Sequence, residues 1–148
     1  MDDEKDDSYT LRPAGRHILT IGRDLIQDQY AAIVELVKNA YDADSPDVAI
    51  TFSLAPEKKN IIITIKDHGH GMSKDTVINK WLVPSTDDKL KRRDSPNGRA
   101  MQGRKGVGRY AASILGNDLL LETVTNTGEQ TTVFIEWKKF ETAEFLSD

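Results

Sequence analysis

The chain has no cysteine, which excludes disulfides and thiolate metal sites and fits a reducing compartment. It lacks any apolar run near the ~20 residues that a membrane-crossing helix needs, and no signal-like segment opens it. It also lacks a basic excess. Its 20 Lys and Arg against 24 Asp and Glu give a formal charge of -4, too little to replace the counterions that a general nucleic-acid binder displaces. The basic run Lys89 to Arg93 reads as a solvated loop, and no internal repeat is present. The expectation is a soluble, cytoplasmic protein with no membrane partner, its 148 residues forming one domain with a real core. Residues 1–10 open with a charge block, expected to be a disordered acidic tail, and the folded domain is expected over 11–148.

What the sequence does contain is a run of elements with glycine-rich segments between them. Apolar spacing predicts a short helix over Arg16 to Leu25 and a longer one from about Gln27 to Ala43, stopped by Pro46. Val48 to Leu54 alternates apolar and polar residues as a strand does, and Asn60 to Lys66, rich in isoleucine, follows across a turn at Pro56 to Lys59. Ser73 is placed to cap a short helix through Trp81. Leu82 to Arg104 has the composition of a loop, and more than twenty such residues inside a domain predict a lid. A helix over Val107 to Leu115 ends at Gly116, and strands at Asp118 to Asn126 and Gln130 to Trp137 flank a turn at Thr127 and Gly128. Strands in adjacent pairs, with helices between the pairs, predict an α+β two-layer sandwich. Its sheet is expected to be mixed but mostly antiparallel, with helices on one face.

Three segments carry chemistry. On the long helix, Glu35, Asn39 and Asp42 fall at i, i+4 and i+7 and share one stripe, with Ile33, Leu36, Val37, Ala40 and Tyr41 covering the other side. A carboxylate, an amide and a second carboxylate in one row can hold a base, a hydrated cation and a ligand edge. Asp67-His-Gly69-His-Gly71-Met72 sits at a strand end, where a buried carboxylate can accept a hydrogen bond from an exocyclic amine and the glycines leave room for a flat ring. Met72 is a soft neighbour for such a ring. Gly103-Arg-Lys105-Gly106-Val107-Gly108 precedes a helix, whose first amides are unpaired donors at a positive dipole end, with Lys105 or Arg109 adding charge. It lacks the Gly-Lys-Ser/Thr ending of a P-loop. Alone, these segments also fit a solvated helix face, an Asp-Gly turn and a surface loop; their order distinguishes them. His68 and His70 raise a metal-site alternative, weakened because no third His or Cys lies nearby.

The set resembles the GHKL ATPases: DNA gyrase, the ninety-kilodalton heat-shock chaperones, histidine kinases and MutL, with the MORC proteins close by. Glu35 to Ala43 resembles their N-box, Asp67 to Met72 their first glycine box, and Gly103 to Gly108 their second. Gly128-Glu-Gln-Thr131-Thr-Val133 is similar to their closing Gly-Thr strand, with Thr131 or the adjacent Thr132 facing the pocket. The resemblance spans about Arg16 to Trp137 and implies the Bergerat fold, with ATP and Mg²⁺ as ligands. It implies Glu35 as general base, Asn39 as Mg²⁺ ligand and Asp42 as a pocket-lining acid. It further implies that Asp67 reads the adenine amine with help from Thr131, Gly69 and Gly71 make room for the base, Met72 packs near it, and Gly103, Lys105, Gly106, Val107 and Gly108 surround the phosphates. Asn-Ala-Tyr-Asp-Ala is closer to the hydrolysing chaperone, MutL and MORC branch than to the kinases.

The family's second domain supplies a lysine to the terminal phosphate. The expectation is therefore an excised or minimal ATP-binding domain, clear in binding and weak in turnover alone. Hydrolysis is expected to close the lid at about 82–104 and to accompany an ATP-dependent homodimer acting on an unidentified protein or DNA client. The alternatives are a nonhydrolysing ATP-sensing or scaffold module and a histidine-kinase-type catalytic domain.

Overall fold

The computed structural model describes residues 12–83, 93–103 and 108–144. The expected acidic tail and part of the expected lid lie outside these residues. Helix α1 (His17–Leu25) leads to α2 (Gln29–Asp42), whose start is fixed by the Asp28 carboxylate accepting the Ala31 N–H at 2.8 Å. After α2 the chain reverses at Asp44, which holds a left-handed φ of 62°, a conformation that Asp tolerates better than most residues. Strands β1 (Val48–Leu54) and β2 (Ile61–Asp67) then pair antiparallel from Val48 opposite Asp67 to Leu54 opposite Ile61.

Ser73 caps α3 (Lys74–Thr76), accepting from the Thr76 N–H, and the helix widens into a π-helical turn over Val77–Trp81. The helix expected over 107–115 begins instead as a 3₁₀ turn at Gly108–Ala111 and becomes α-helical only over α4 (Ala112–Leu115). Strands β3 (Asp118–Val124) and β4 (Gln130–Glu136) pair antiparallel from Asp118 opposite Glu136 to Val124 opposite Gln130. Between them Gly128 takes a φ of 87° and donates its N–H to the Thr125 carbonyl, a turn that favours glycine. Trp137, expected to end β4, starts α5 (Trp137–Thr142) and is buried.

The α+β class holds, but among the described residues the four strands form two separate two-stranded antiparallel sheets. They differ in what covers them. Leu119 and Ile135, a cross-strand pair of β3–β4, pack against a cluster of Ile18, Leu19, Tyr110, Ala112 and Trp137, which sets α1, α4 and α5 on one face of that sheet. A second cluster of Ile26, Ala32 and Ala111 joins α2 to the 3₁₀ turn. The β1–β2 hairpin enters neither cluster, and Phe52, Leu54 and Ile61 are each more than 60% exposed. No helix among the described residues is long and apolar enough to cross a membrane.

Candidate functional site

Helix α2 touches both glycine-rich segments, the second through Glu35 and Asp42 of its polar row and the first through Ala43 at its C-terminal end. Burial of Ala32 and Ala40 on one side fixes its rotation, although Tyr41, expected to be covered, is 40% exposed. Glu35, Asn39 and Asp42 then follow one another up the helix. Glu35 gives one carboxylate oxygen to the Lys38 ammonium at 2.7 Å, while the other lies so close to Gly108 that a methyl added there would sit 2.9 Å from it. Asp42, only 4% exposed, accepts the Gln102 N–H at 2.7 Å on one oxygen and the Gly103 N–H at 3.0 Å on the other. The entry and the exit of the second glycine segment therefore both lie against α2. Lys105, Gly106 and Val107 fall outside the described residues.

The C-terminus of the same helix meets the first glycine segment. The Ala43 carbonyl accepts the His70 N–H at 2.9 Å, and a Cβ at Gly69 would meet both the Ala43 carbonyl oxygen and its Cβ at 2.7 Å. Only glycine lets β2's end approach α2 this closely. At Gly71 the φ is 70° and a Cβ would overlap the Val124 carbonyl at the end of β3. Beside it the Met72 N–H donates to the Thr123 hydroxyl at 2.9 Å. Thr123 pairs across the ladder with Thr131, which lies on the partly buried face, while Thr132 is exposed opposite Glu122. The Thr131 hydroxyl is buried and has no hydrogen-bond partner among the described residues. An orphaned buried hydroxyl costs stability unless something else pairs with it.

Asp67 differs from its expected setting. It is exposed, not buried, and one of its oxygens accepts the Gly69 N–H at 2.8 Å in a local turn, leaving the other open. Both oxygens of Asp42 engage backbone amides, so it braces the segment bearing Gly103. The two histidines are engaged separately, His68 with the Asp47 carboxylate at 2.7 Å and His70 with the Gly71 carbonyl at 2.9 Å.

Several residues here escaped sequence reasoning. Lys38 partners Glu35, and Thr123 anchors Met72. The stretch 93–103, expected to belong to a lid, is an ordered turn braced on the end of α2: Ser95 is buried, its hydroxyl donates to Asp44, and the Asn97 N–H donates to Asp44 at 3.0 Å. Ser95-Pro96-Asn97-Gly98 is a turn signature that could have revealed it.

Taken together, the arrangement has the Glu35 carboxylate and two glycines, Gly103 and Gly108, at one end and, among the described residues, an open Asp67 oxygen, an unpaired Thr131 hydroxyl and side-chain-free backbone at the other. The first suits phosphates and the second a flat, amine-bearing ring. The family model described as "Histidine kinase-, DNA gyrase B-, and HSP90-like ATPase" matches residues 28–146. The chain belongs to this family. Its motif-bearing elements therefore form a GHKL-type ATP-binding domain. None of the curated proteins compared with the chain matches it.

Proposed function

We propose that this domain binds ATP between its two glycine segments and hydrolyses it with Mg²⁺, working in the cytoplasm. In this reading the second oxygen of Asp67 accepts the adenine amine and Thr131 contributes the hydroxyl that no other described residue engages. Gly69 and Gly71 leave space for the ring, and Met72 packs beside it. Gly103, Lys105, Gly106, Val107 and Gly108 surround the phosphates, with Lys105 adding one ammonium and Gly103, its own amide held by Asp42, leaving room for them. Asn39, in the same helical row as Glu35, would hold Mg²⁺, an ion that takes few protein ligands alongside phosphates and water and would supply neutralisation of phosphate charge. Glu35 orients the attacking water and takes its proton as the water oxygen bonds to the terminal phosphorus, while the bond from that phosphorus to ADP breaks. The output is lid closure within about 82–104, with 93–103 remaining braced on α2, conformational change and an ATP-dependent homodimer acting on a protein or DNA client.

One observation carries the reading: a single helix contacts both glycine segments, through Glu35 at Gly108, Asp42 at Gly103 and Ala43 at Gly69 and His70. Phosphate release and ATP binding measured on wild type and Glu35→Ala test it. The variant should bind ATP within about twofold of wild type and lose roughly 10²- to 10⁴-fold in turnover, the usual weight of a general base. Unchanged turnover in the variant contradicts the assignment. The ion pair between Lys38 and Glu35 favours a second reading, in which the carboxylate is structural and the domain senses ATP without cleaving it. Wild-type binding without phosphate release selects that reading, and labelled phosphate on a histidine selects a kinase.

A further inference from the structure

The most heavily cross-linked polar cluster among the described residues lies just past the end of α2 and has no role in the scheme above. Asp44, held at a left-handed φ, accepts the Ser95 hydroxyl and the Asn97 N–H, and the Arg99 Nε lies 4.0 Å from it. Ser95 to Gly98 forms a tight turn: the Gly98 N–H donates to the Ser95 carbonyl at 2.9 Å with Gly98 at a φ of 82°. The Ser95 hydroxyl oxygen also accepts the Arg99 N–H at 2.9 Å. Arg99 then reaches back to α2, donating to the Ser45 carbonyl at 2.7 Å and the Tyr41 carbonyl at 3.3 Å, with its guanidinium 4.9 Å from the centre of the Tyr41 ring. Two residues earlier than Asp44, Asp42 holds the amides of Gln102 and Gly103. Two carboxylates two residues apart thus grip both ends of the segment 95–103.

We infer that Asp44 is a positioning residue for phosphate binding: with Asp42 it latches the 95–103 segment to α2 and so fixes where the second glycine segment begins. The inference rests on the ATP-binding reading above and adds a determinant that does not touch the nucleotide. Its physical basis is the near-complete enclosure of the pair. The Asp44 side chain is 6% exposed and Ser95 is buried, so water replaces their contact poorly, whereas Asn97 lies at the exposed rim. Removing the carboxylate leaves the Ser95 hydroxyl and the Asn97 amide without their acceptor and takes away the charge beside Arg99, a loss that is largest where the groups are buried. The base end is held by separate contacts, Gly71 on Val124 and Met72 on Thr123. Loss of the latch should therefore fall on phosphate recognition.

The test measures dissociation constants for ATP, ADP and adenosine on wild type, Asp44→Ala, Asp44→Asn and the milder Ser95→Ala. Urea midpoints and hydrogen exchange over residues 93–103 are followed in parallel. Asp44→Ala should weaken ATP and ADP about tenfold, the weight of one charged hydrogen bond, while adenosine changes less than about twofold. Exchange in 93–103 should rise. Asp44→Asn, which keeps an acceptor for Ser95 and Asn97, should recover part of the loss, and Ser95→Ala should follow Asp44→Ala with a smaller effect. Equal weakening of adenosine and ATP, or unchanged ATP binding in both Asp44→Ala and Ser95→Ala, overturns the latch. A wild-type domain that binds none of the three ligands overturns the ATP-binding reading itself. If Asp44→Ala does not fold, Ser95→Ala alone decides by the same split.

Discussion

The two ends of the candidate site are held by different forces. At the base end the structure depends on side chains that are missing: Gly69 against Ala43 and Gly71 against Val124 allow backbones to approach to distances that a single methyl forbids. At the phosphate end it depends on carboxylates, with Glu35, Asp42 and Asp44 each accepting or facing a neighbour on the 93–108 side. Steric fit is insensitive to pH and salt and tolerates almost no substitution. Charge and hydrogen bonding yield gradually and respond to both. Loss of a glycine at the first end should therefore appear as lost stability that pH does not alter, and loss of a carboxylate at the second as a change that pH modulates.

The largest effect is expected at Gly71. Alanine there must adopt a positive φ and displace the Val124 carbonyl, so Gly71→Ala should cost roughly 2 to 5 kcal/mol of stability, from backbone strain plus overpacking. Urea denaturation measures it, and a loss under about 1 kcal/mol breaks the contrast between the ends. Next comes Asp67→Asn, which replaces an acceptor by an amide able to present a donor. ATP affinity should fall about 10- to 150-fold, the worth of a charged hydrogen bond, with the unfolding midpoint nearly unchanged because Asp67 is exposed. Thr131→Val should split the two readouts. It removes an unpaired buried hydroxyl, so stability should hold or rise, while ATP affinity drops about fivefold, or ~1 kcal/mol.

The smallest expected effect is the pH response at the phosphate end. Burial pushes the Asp44 carboxyl up, but the Ser95 hydroxyl, the Asn97 amide and the nearby Arg99 and His70 outweigh it and hold the group below its ordinary value. A folded-state value below the unfolded one means that Asp44 adds stability above the ordinary carboxylate range, and that this is lost as pH falls through the folded value. Urea midpoints from pH 7 down to about 3, below the usual Asp value, should show wild type losing its advantage over Asp44→Asn. The difference between Gly71→Ala and wild type should stay flat over the same range.

Much of this layout was legible in the sequence because local rules agreed with it. The 3.6-residue period placed Glu35, Asn39 and Asp42 in one row, alternation, isoleucine content and turn residues located the four strands to within a residue or two, and Ser73 acted as the cap that its position predicts. What escaped reading depended on tertiary contact. Nothing local shows that Asp42 will spend both oxygens on amides sixty residues away, or that Asp67 will be exposed. The loop composition of 93–103 concealed an ordered turn because its partners, Asp44, Tyr41 and Ser45, come from a distant helix end. Alternation did settle one choice once the ladder register was known, since Thr131 pairs with Thr123 on the covered face and Thr132 does not. Trp137 was misread because an apolar residue after a strand looks like more strand, whereas here it turns into the cluster around Ile18 and Tyr110.

The central claim is that one nucleotide spans both ends of the site, and an amide-resolved NMR titration of the wild-type domain with Mg²⁺ and a nonhydrolysable ATP analogue tests it most directly. Resonances of Gly69, Gly71, Met72 and Thr131 at the base end, and of Gly103 and Gly108 at the phosphate end, should shift together along one saturation curve with a single dissociation constant. Shifts confined to one end, or two curves with separate midpoints, would contradict it.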